Sequence, residues 1–116
     1  MRSNYSDAEW KTRCELAALY RILAHHRMTD HIYTHISARV PGTDEHHFLI
    51  NPYGLMFHEI TASSLVKIDM HGRILESGSK GPQRVNTAGF MIHSAVHMAR
   101  HDISCVVHTH TAAGIA

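Results

Sequence analysis

The chain has 116 residues, 44% of them hydrophobic, which is the size and apolar content of one small domain with its own core. A formal net charge of +1, from 11 basic and 10 acidic residues, excludes the basic surface typical of nucleic-acid-binding proteins. No apolar stretch approaches the roughly 18 residues of a membrane-spanning helix, and no signal peptide precedes the first elements, so we expect a cytoplasmic protein that binds neither membrane nor nucleic acid.

The first predicted element is a helix over residues 7–26. Ser6 and Glu9 have the spacing of a capping box, in which a hydroxyl and a carboxylate satisfy the first free N–H groups. The apolar positions at helical spacing that give this helix a face to bury are Leu16, Leu19, Tyr20 and Leu23. Cys14 in this helix and Cys105 in a later strand lack disulfide-rich spacing, so we predict small core residues of a reduced protein.

Four short strands are predicted in the middle of the chain. They comprise residues 33–40, 48–51, 65–70 and 73–76. A hairpin across the loop at 43–47 connects the first two strands, and a tight hairpin through His71 and Gly72 connects the others. A short turn of helix is expected near 61–64, and the residues 77–83, rich in Gly, Ser and Pro, are predicted to form a surface loop.

The last third of the chain begins with a second helix over residues 86–100, which Asn86 can cap. Its apolar residues at helical spacing are Val85, Ala88, Ile92, Ala95, Val96 and Ala99. A buried strand is predicted at 105–108, and residues 109–116 can open a third helix. Strands mixed with flanking helices indicate an α/β layered domain.

Histidine is over-represented, with 13 residues, and the pair at the end of the last strand is the first candidate site. His108 and His110 lie two residues apart on a strand, so their imidazoles share a face and can present two neutral nitrogens to one metal ion. The alternative is a strand end whose imidazoles hydrogen-bond to neighbouring loops. A catalytic zinc site usually has three protein ligands, so this pair would be only part of one.

Other histidines form weaker patterns. His93, His97 and His101 follow an i, i+4, i+8 stripe on the second helix, but the glutamate of the usual helical zinc motif is missing between them. We therefore predict a solvated or hydrogen-bonded flank of that helix. The chain has no nucleophile elbow, phosphate-binding loop or dinucleotide-binding glycine motif, so hydrolase and nucleotide-binding functions are not indicated.

Taken together, several segments of the chain resemble the class II aldolase/adducin family. They are THISAR at 34–39, FLINPYG at 48–54, EITASSLVKIDMHG at 59–72 and NTAGFMIHSAVHMARHDISCVVHTHT at 86–111. The resemblance implies a three-layer α/β/α sandwich around a mixed, largely antiparallel sheet. It covers the chain from about Ser6 but only the first half or so of the family's domain, so residues 1–116 are predicted to be the N-terminal part of one apparently truncated domain.

The resemblance also implies a chemistry. The family's enzymes hold zinc with three histidines and use it to polarise a carbonyl or enediolate, so that an adjacent carbon–carbon bond breaks or forms. His108 and His110 match the first two metal ligands, and the third, which lies downstream in the family, has no counterpart in this chain. The implied protein is a zinc-dependent lyase, or one using another divalent metal, and a homo-oligomer, expected to be a tetramer. The 116 residues alone are predicted to have no aldolase activity.

Two departures from the family's pattern bear on the reaction. Gly89 stands where the sugar-phosphate aldolases carry a catalytic glutamate, and it cannot transfer a proton, so His35 is the remaining candidate within the chain. The family's phosphate pocket has changed in part, which favours a small carbonyl or hydroxy-acid substrate over a phosphorylated sugar. The residues expected to line the substrate pocket are His35, Tyr53, Gly54 and Thr87.

Two functions therefore follow from the sequence. The first is a metal-dependent aldolase-like protein that acts on a small oxygenated substrate. The alternative is a non-catalytic, adducin-like scaffold, because the second helix has the form N-x-AGF-x-x-HSA of that branch and lacks the glutamate. A stoichiometric divalent metal would distinguish the first from the second.

Overall fold

The computed structural model describes residues 4–42, 46–76 and 84–116. The predicted surface loop at 77–83 and most of the first hairpin loop lie outside the described residues. The helices and strands are α1 (Asp7–His25), β1 (His35–Arg39), β2 (Phe48–Ile50), β3 (Val66–Ile68), β4 (Ile74–Glu76), α2 (Thr87–Ala99), β5 (Cys105–His108) and α3 (Ala112–Ile115), with a 3-10 turn at Phe57–Glu59.

The described strands form one five-stranded sheet in the order β4-β3-β2-β1-β5. Neighbouring strands are antiparallel, which confirms both predicted hairpins and the α/β class. In the β1–β5 pairing His35 lies opposite His108, and on the other side of β1 Ser37 lies opposite Ile50. Because side chains alternate along a strand, this register sends His35, Ser37 and Arg39 to one face and Ile36 and Ala38 to the other.

Helix α1 forms as predicted and covers the apolar face of the sheet. The Glu9 N–H donates to the Ser6 side-chain oxygen over 3.1 Å, which confirms Ser6 as the N-cap, whereas the Glu9 carboxylate binds Arg13 and Lys67. Leu16, Tyr20 and Leu23 are buried together with residues of β1 and β2 in the main core. Of the helices in the described ranges, none is both long and apolar enough to cross a membrane.

At 61–64, where a turn of helix was predicted, the chain forms a single hydrogen-bonded turn, in which the Ser64 N–H donates to the Thr61 carbonyl over 3.1 Å, but no helix. The 3-10 turn lies earlier, at Phe57–Glu59. The Thr61 N–H donates to Ser64 Oγ over 2.9 Å, and the Ser64 N–H donates to Thr61 Oγ1 over 3.2 Å. These side-chain hydrogen bonds add to the backbone one and stabilise the turn.

Helix α2 begins as predicted, with the Gly89 N–H bound to the Asn86 side-chain oxygen over 3.1 Å. Its buried face is not the predicted apolar one, since the buried residues are Gly89, His93, Ser94 and His97. Ile92, expected inside, is 59% exposed. The histidine side of α2 packs on the polar residues of β1, whereas the apolar side has nothing in the described ranges to cover it.

Strand β5 has the predicted bounds, but the prediction that it is buried is wrong. It is the outer strand of the sheet, and Cys105 and Val107 on its face towards α1 are exposed. Cys14 is also exposed, because it lies outside the stripe of α1 that faces the sheet. The prediction of two core cysteines is therefore wrong, and both are free thiols.

Candidate functional site

The paired histidines lie where β5 ends. His108 is the last residue of β5 and His110 follows two residues later, so both imidazoles project from the same edge of the sheet. Their Nε2 atoms are 3.1 Å apart, with the ring centroids separated by 4.7 Å. The Nε2 atoms of two histidines that are two residues apart in sequence thus lie within hydrogen-bond distance of each other.

The other ring nitrogen of each histidine has its own partner. His108 Nδ1 lies 3.2 Å from His35 Nδ1, across the β1–β5 pairing. His110 Nδ1 lies 2.7 Å from Asp30 Oδ2, in the loop that leads from α1 to β1. Both rings are therefore held by their Nδ1 atoms, and their Nε2 atoms face each other.

His35 is packed between β5 and helix α2. It is 5% exposed, and its ring centroid is 4.8 Å from that of His108 and 5.4 Å from that of His93. On the side of α2 it meets Gly89, where a Cβ atom, if the residue had one, would come within 2.9 Å of His35 Nε2. The imidazole of His35 thus fills the space that a side chain at position 89 would need.

A second polar group lies deeper, where α2 crosses β1. The Ser37 hydroxyl oxygen is 2.6 Å from His93 Nδ1 and 2.9 Å from His97 Nε2. His97 also stacks on Phe48, with centroids 4.6 Å apart. These contacts support a hydrogen-bonded flank for the histidine stripe, while His101 is exposed beyond the helix end and stacks on His46.

The imidazoles of this region are kept neutral by their surroundings. Burial, with positive charge on His108 and His110 as the next cause, lowers the pKa of His35 to about 4. Burial also lowers the pKa of His93 to about 4, followed by the effect of His35. The pKa of His108 is lowered by burial and then by His110. A neutral imidazole offers a lone pair, so these rings are suited to bind a cation.

A cavity of about 440 Å³ lies at the N-terminus of α2. Tyr53 and Thr87, both predicted to contact substrate, line it together with Arg84. The Tyr53 N–H donates to the Arg84 carbonyl over 2.7 Å, which ties the turn after β2 to the start of α2. Gly54 follows in this turn with φ of +100°, a conformation that glycine adopts at little cost.

His35 does not line this cavity with the other predicted pocket residues. It is buried beside His108 and Gly89 instead. The cavity therefore holds two of the four predicted substrate contacts, Tyr53 and Thr87, with Gly54 shaping the adjacent turn.

The pair of histidines fits a zinc ion as part of its ligand set. Zinc–nitrogen bonds of about 2.0–2.1 Å at a tetrahedral angle separate two nitrogens by roughly 3.4 Å, close to the 3.1 Å between the Nε2 atoms. Within residues 4–42, 46–76 and 84–116 no group of three His, Cys, Asp or Glu side chains has the arrangement to hold a metal ion. His108 and His110 can therefore supply two ligands of such a site.

Sequence reasoning missed three residues of the site. Asp30 contacts His110 although 80 residues separate them, and it carries no local pattern that marks it. Arg84 brings a cation to the cavity, but it precedes the helix cap at Asn86 and belongs to no predicted element. Ser37 is one of the polar residues of a buried strand, and its alternation with Ile36 and Ala38 was the available signal.

An antiparallel sheet with helices, an H-x-H pair at a strand end and a cavity at a helix N-terminus define an α/β protein of the aldolase-like class. The family model described as "Class II Aldolase and Adducin N-terminal domain" matches residues 14–116. The chain belongs to this family.

Three comparisons show how close the similarity is. The chain is 57% identical to the aldolase II superfamily protein from Pseudomonas syringae, with a TM-score of 0.91 over 98% of this chain and 44% of that one. It is 35% identical to the L-fuculose 1-phosphate aldolase from Glaciozyma antarctica, with a TM-score of 0.83 over 89% of this chain and 41% of the other. It is 48% identical to the alpha-adducin of Mus musculus over 112 residues, which are 97% of this chain and 15% of the adducin.

The chain spans less than half of the length of the curated relatives that it matches. A relative from Pseudomonas aeruginosa is 60% identical over all 116 residues, and these are 43% of its length. For a relative from Caulobacter vibrioides the corresponding share is 44%. The activity and substrates of the whole protein are therefore proposals.

Proposed function

We propose that this protein is a metal-dependent, aldolase-like lyase that acts on a small carbonyl or hydroxy-acid substrate. The observation that carries the proposal is the 3.1 Å approach of the Nε2 atoms of His108 and His110. Two imidazole nitrogens this close to each other are an arrangement that a divalent cation stabilises. The third ligand is expected from sequence outside these 116 residues.

The residues of this chain would form two sites, one that binds the metal and one that binds the substrate. His108 and His110 would hold zinc, or another divalent metal, which supplies a Lewis acid for an oxygen that becomes negative in the reaction. Arg84 and the free N–H groups at the start of α2 would bind the anionic end of a substrate in the cavity that Tyr53 and Thr87 line. Gly54 would allow the turn that brings Tyr53 there.

The whole protein is proposed to be a three-layer α/β/α domain, of which this chain is the N-terminal part, and to form a homo-oligomer, expected to be a tetramer. The apolar side of α2 and the outer strand β5 are exposed here, at Met91, Ile92 and Val107. Burying such surface is what association or further chain would achieve. The free, exposed thiols of Cys14 and Cys105 suit the reducing cytoplasm.

The test uses the product of the complete reading frame. We expect about one divalent ion per subunit, removable by a chelator, and metal-dependent cleavage of one or more small hydroxy-carbonyl compounds. His108→Ala and His110→Ala should each weaken zinc binding by roughly 100-fold or more, beyond the loss expected for residues that only orient a ligand. Residues 1–116 alone should show no aldol cleavage.

The matched control is His58→Ala, since His58 is exposed on the 3-10 turn far along the chain from β5. Its zinc affinity should equal that of the wild type. A folded, complete protein that binds no divalent metal would overturn the proposal, as would zinc affinity that is unchanged in both His108→Ala and His110→Ala.

A non-catalytic, adducin-like scaffold is the second candidate. The observation that favours it is Gly89, which has no group to transfer a proton and whose side-chain space is filled by His35. The 48% identity to alpha-adducin is in line with this function. The scaffold predicts a folded oligomer that binds no metal and cleaves none of the small hydroxy-carbonyl compounds. The lyase predicts both metal binding and cleavage.

A further inference from the structure

Each histidine of the pair has a partner for its Nδ1 atom. The two partners, Asp30 and His35, lie in the loop before β1 and at the first residue of β1. His35 Nδ1 is 3.2 Å from His108 Nδ1, and Asp30 Oδ2 is 2.7 Å from His110 Nδ1. These two contacts join residues 73 and 80 positions apart, so they are products of the fold and not of local sequence. They leave the Nε2 atom of each ring free to face the other.

The contact between His35 and Gly89 explains why a glycine occupies the first turn of α2. Glycine within a helix costs about 0.5–1 kcal/mol relative to alanine, and the helical backbone of Gly89 is one that any residue can adopt. A Cβ atom there would meet His35 Nε2 at 2.9 Å and His35 Cδ2 and Cε1 at 3.0 Å, distances that side-chain carbons do not tolerate. The missing side chain at position 89 is therefore what allows the His35 ring to reach His108.

We infer that His35 and Asp30 are positioning residues that orient His108 and His110 for metal binding, and that Gly89 is required because it makes room for His35. The inference rests on the proposed function, since it takes His108 and His110 as ligands. His35 then contacts the proposed metal ligand His108, whereas the sequence predicted that it contacts the substrate.

The hydrogen-bond chemistry of the two contacts is consistent with this role. A histidine that binds a metal through Nε2 carries its proton on Nδ1 and donates it to a neighbouring acceptor. For His110 the acceptor is the Asp30 carboxylate. For His108 it is His35 Nδ1, which requires the His35 proton to sit on Nε2, the atom next to Gly89. These tautomers satisfy the two Nδ1 contacts and leave both Nε2 lone pairs unprotonated, 3.1 Å apart, as the binding of one cation by both rings requires.

The experiment measures the zinc dissociation constant of the complete gene product by competition with a chromophoric chelator. Asp30→Asn and His35→Ala should each weaken zinc binding by about 10- to 100-fold, the usual effect of losing such a partner. Gly89→Ala should weaken it by about 10-fold, although it removes no nitrogen or oxygen atom, because the added methyl group displaces the His35 ring.

The double variant His35→Ala/Gly89→Ala makes the test specific. Once the imidazole is gone the methyl group has room, so the double variant should bind zinc no more weakly than His35→Ala alone. Spectra of the cobalt-substituted proteins give a second readout, because a displaced ligand changes the absorption of the ion. The matched controls are Asp102→Asn, at an exposed aspartate, and Ala88→Ser, at an exposed position of α2 next to Gly89.

The outcomes separate this inference from the proposed function. Zinc binding that depends on His108 and His110, but stays within twofold of wild type in Asp30→Asn, His35→Ala and Gly89→Ala, would overturn this inference alone. A wild-type protein that binds no zinc would overturn both. If His35→Ala does not fold, Asp30→Asn decides the matter, since Asp30 is about half exposed and its replacement removes no core contact.

Discussion

The two faces of the sheet differ in what they bury. Towards α1, Ile36 and Ala38 of β1 join an apolar core with Leu49 and the leucines of the helix. Towards α2, His35 and Ser37 of the same strand meet histidines. A single strand thus supplies both environments, because its side chains alternate.

The buried polar groups of the two faces also differ in kind. On the α1 side, Arg13 is fully buried, yet it binds the Glu9 carboxylate at 2.9 Å and donates to the Leu65 carbonyl at 2.9 Å. On the α2 side, His93 Nδ1 and His97 Nε2 share the Ser37 hydroxyl. Among the described residues, buried side-chain atoms without a hydrogen-bond partner occur on both sides: Arg13 Nη2 towards α1, and His93 Nε2 and His97 Nδ1 towards α2. The two faces therefore differ in their apolar content, and the histidine side carries the candidate binding groups.

The largest expected effect is on stability, and it comes from a substitution that creates a cavity in the apolar core between α1 and the sheet. Leu49→Ala should lower the free energy of unfolding by about 2 to 5 kcal/mol, because Leu49 is fully buried in the main core. Urea denaturation of the metal-free protein measures this loss. Zinc affinity of the folded variant should be unchanged, and a parallel loss of zinc affinity would contradict the separate roles of the two faces.

The α2 face should make stability depend on pH. Burial, followed by the charge of Arg39, lowers the pKa of His97 to about 4. Unfolded His97 takes up a proton near pH 6.5 but the folded residue does not until about pH 4, so the free energy of unfolding falls as the pH drops through this window. At pH 5 the contribution of His97 to this loss is about 2 kcal/mol.

His97→Gln tests this prediction, since glutamine can still reach Ser37 but does not titrate. Denaturation in a chelator at pH 7 and pH 5 should show a smaller loss of stability in the variant than in the wild type. Equal losses in the two proteins would show that His97 does not titrate in the folded state as its burial implies.

A smaller effect is expected where α1 meets the strands. The Tyr20 hydroxyl is buried, accepts from the Ile36 N–H over 3.0 Å and from the Asn51 N–H over 3.2 Å, and hydrogen-bonds the Ile36 carbonyl. Tyr20→Phe should cost about 1 to 2 kcal/mol, because these backbone groups lose their partner inside the protein. Thermal denaturation measures it, and an unchanged midpoint would show that water replaces the hydroxyl.

Most helices and strands could be predicted because their signals are local. The capping residues Ser6 and Asn86 and the apolar spacing of α1 mark elements that form at the predicted places. At 61–64 the predicted turn is present, but the Thr61 and Ser64 side chains hold it as a single turn that does not continue as a helix. The buried face of α2 was not predicted. Ile92 is exposed and His93 is buried, because the histidine side of α2 packs on β1.

The candidate site was predictable only in its sequence-local part. His108 and His110 carry their own pattern, two residues apart on a strand. Asp30, 80 residues from His110, carries none, and its place depends on how the loop before β1 folds. The pairing of His35 with Gly89 requires knowledge of where α2 crosses β1, which no spacing in the chain encodes.

The antiparallel pairing of β1 with β5 also has a consequence for the order of folding. The β1–β2 and β3–β4 pairings close short loops, whereas His35 and His108 are brought together only by closing a loop of 73 residues. Loop-closure entropy rises with length, so the long-range pairing is expected to form after the local hairpins. The contact of His35 with the proposed metal ligand His108 is therefore expected to form last, on strands that have already paired.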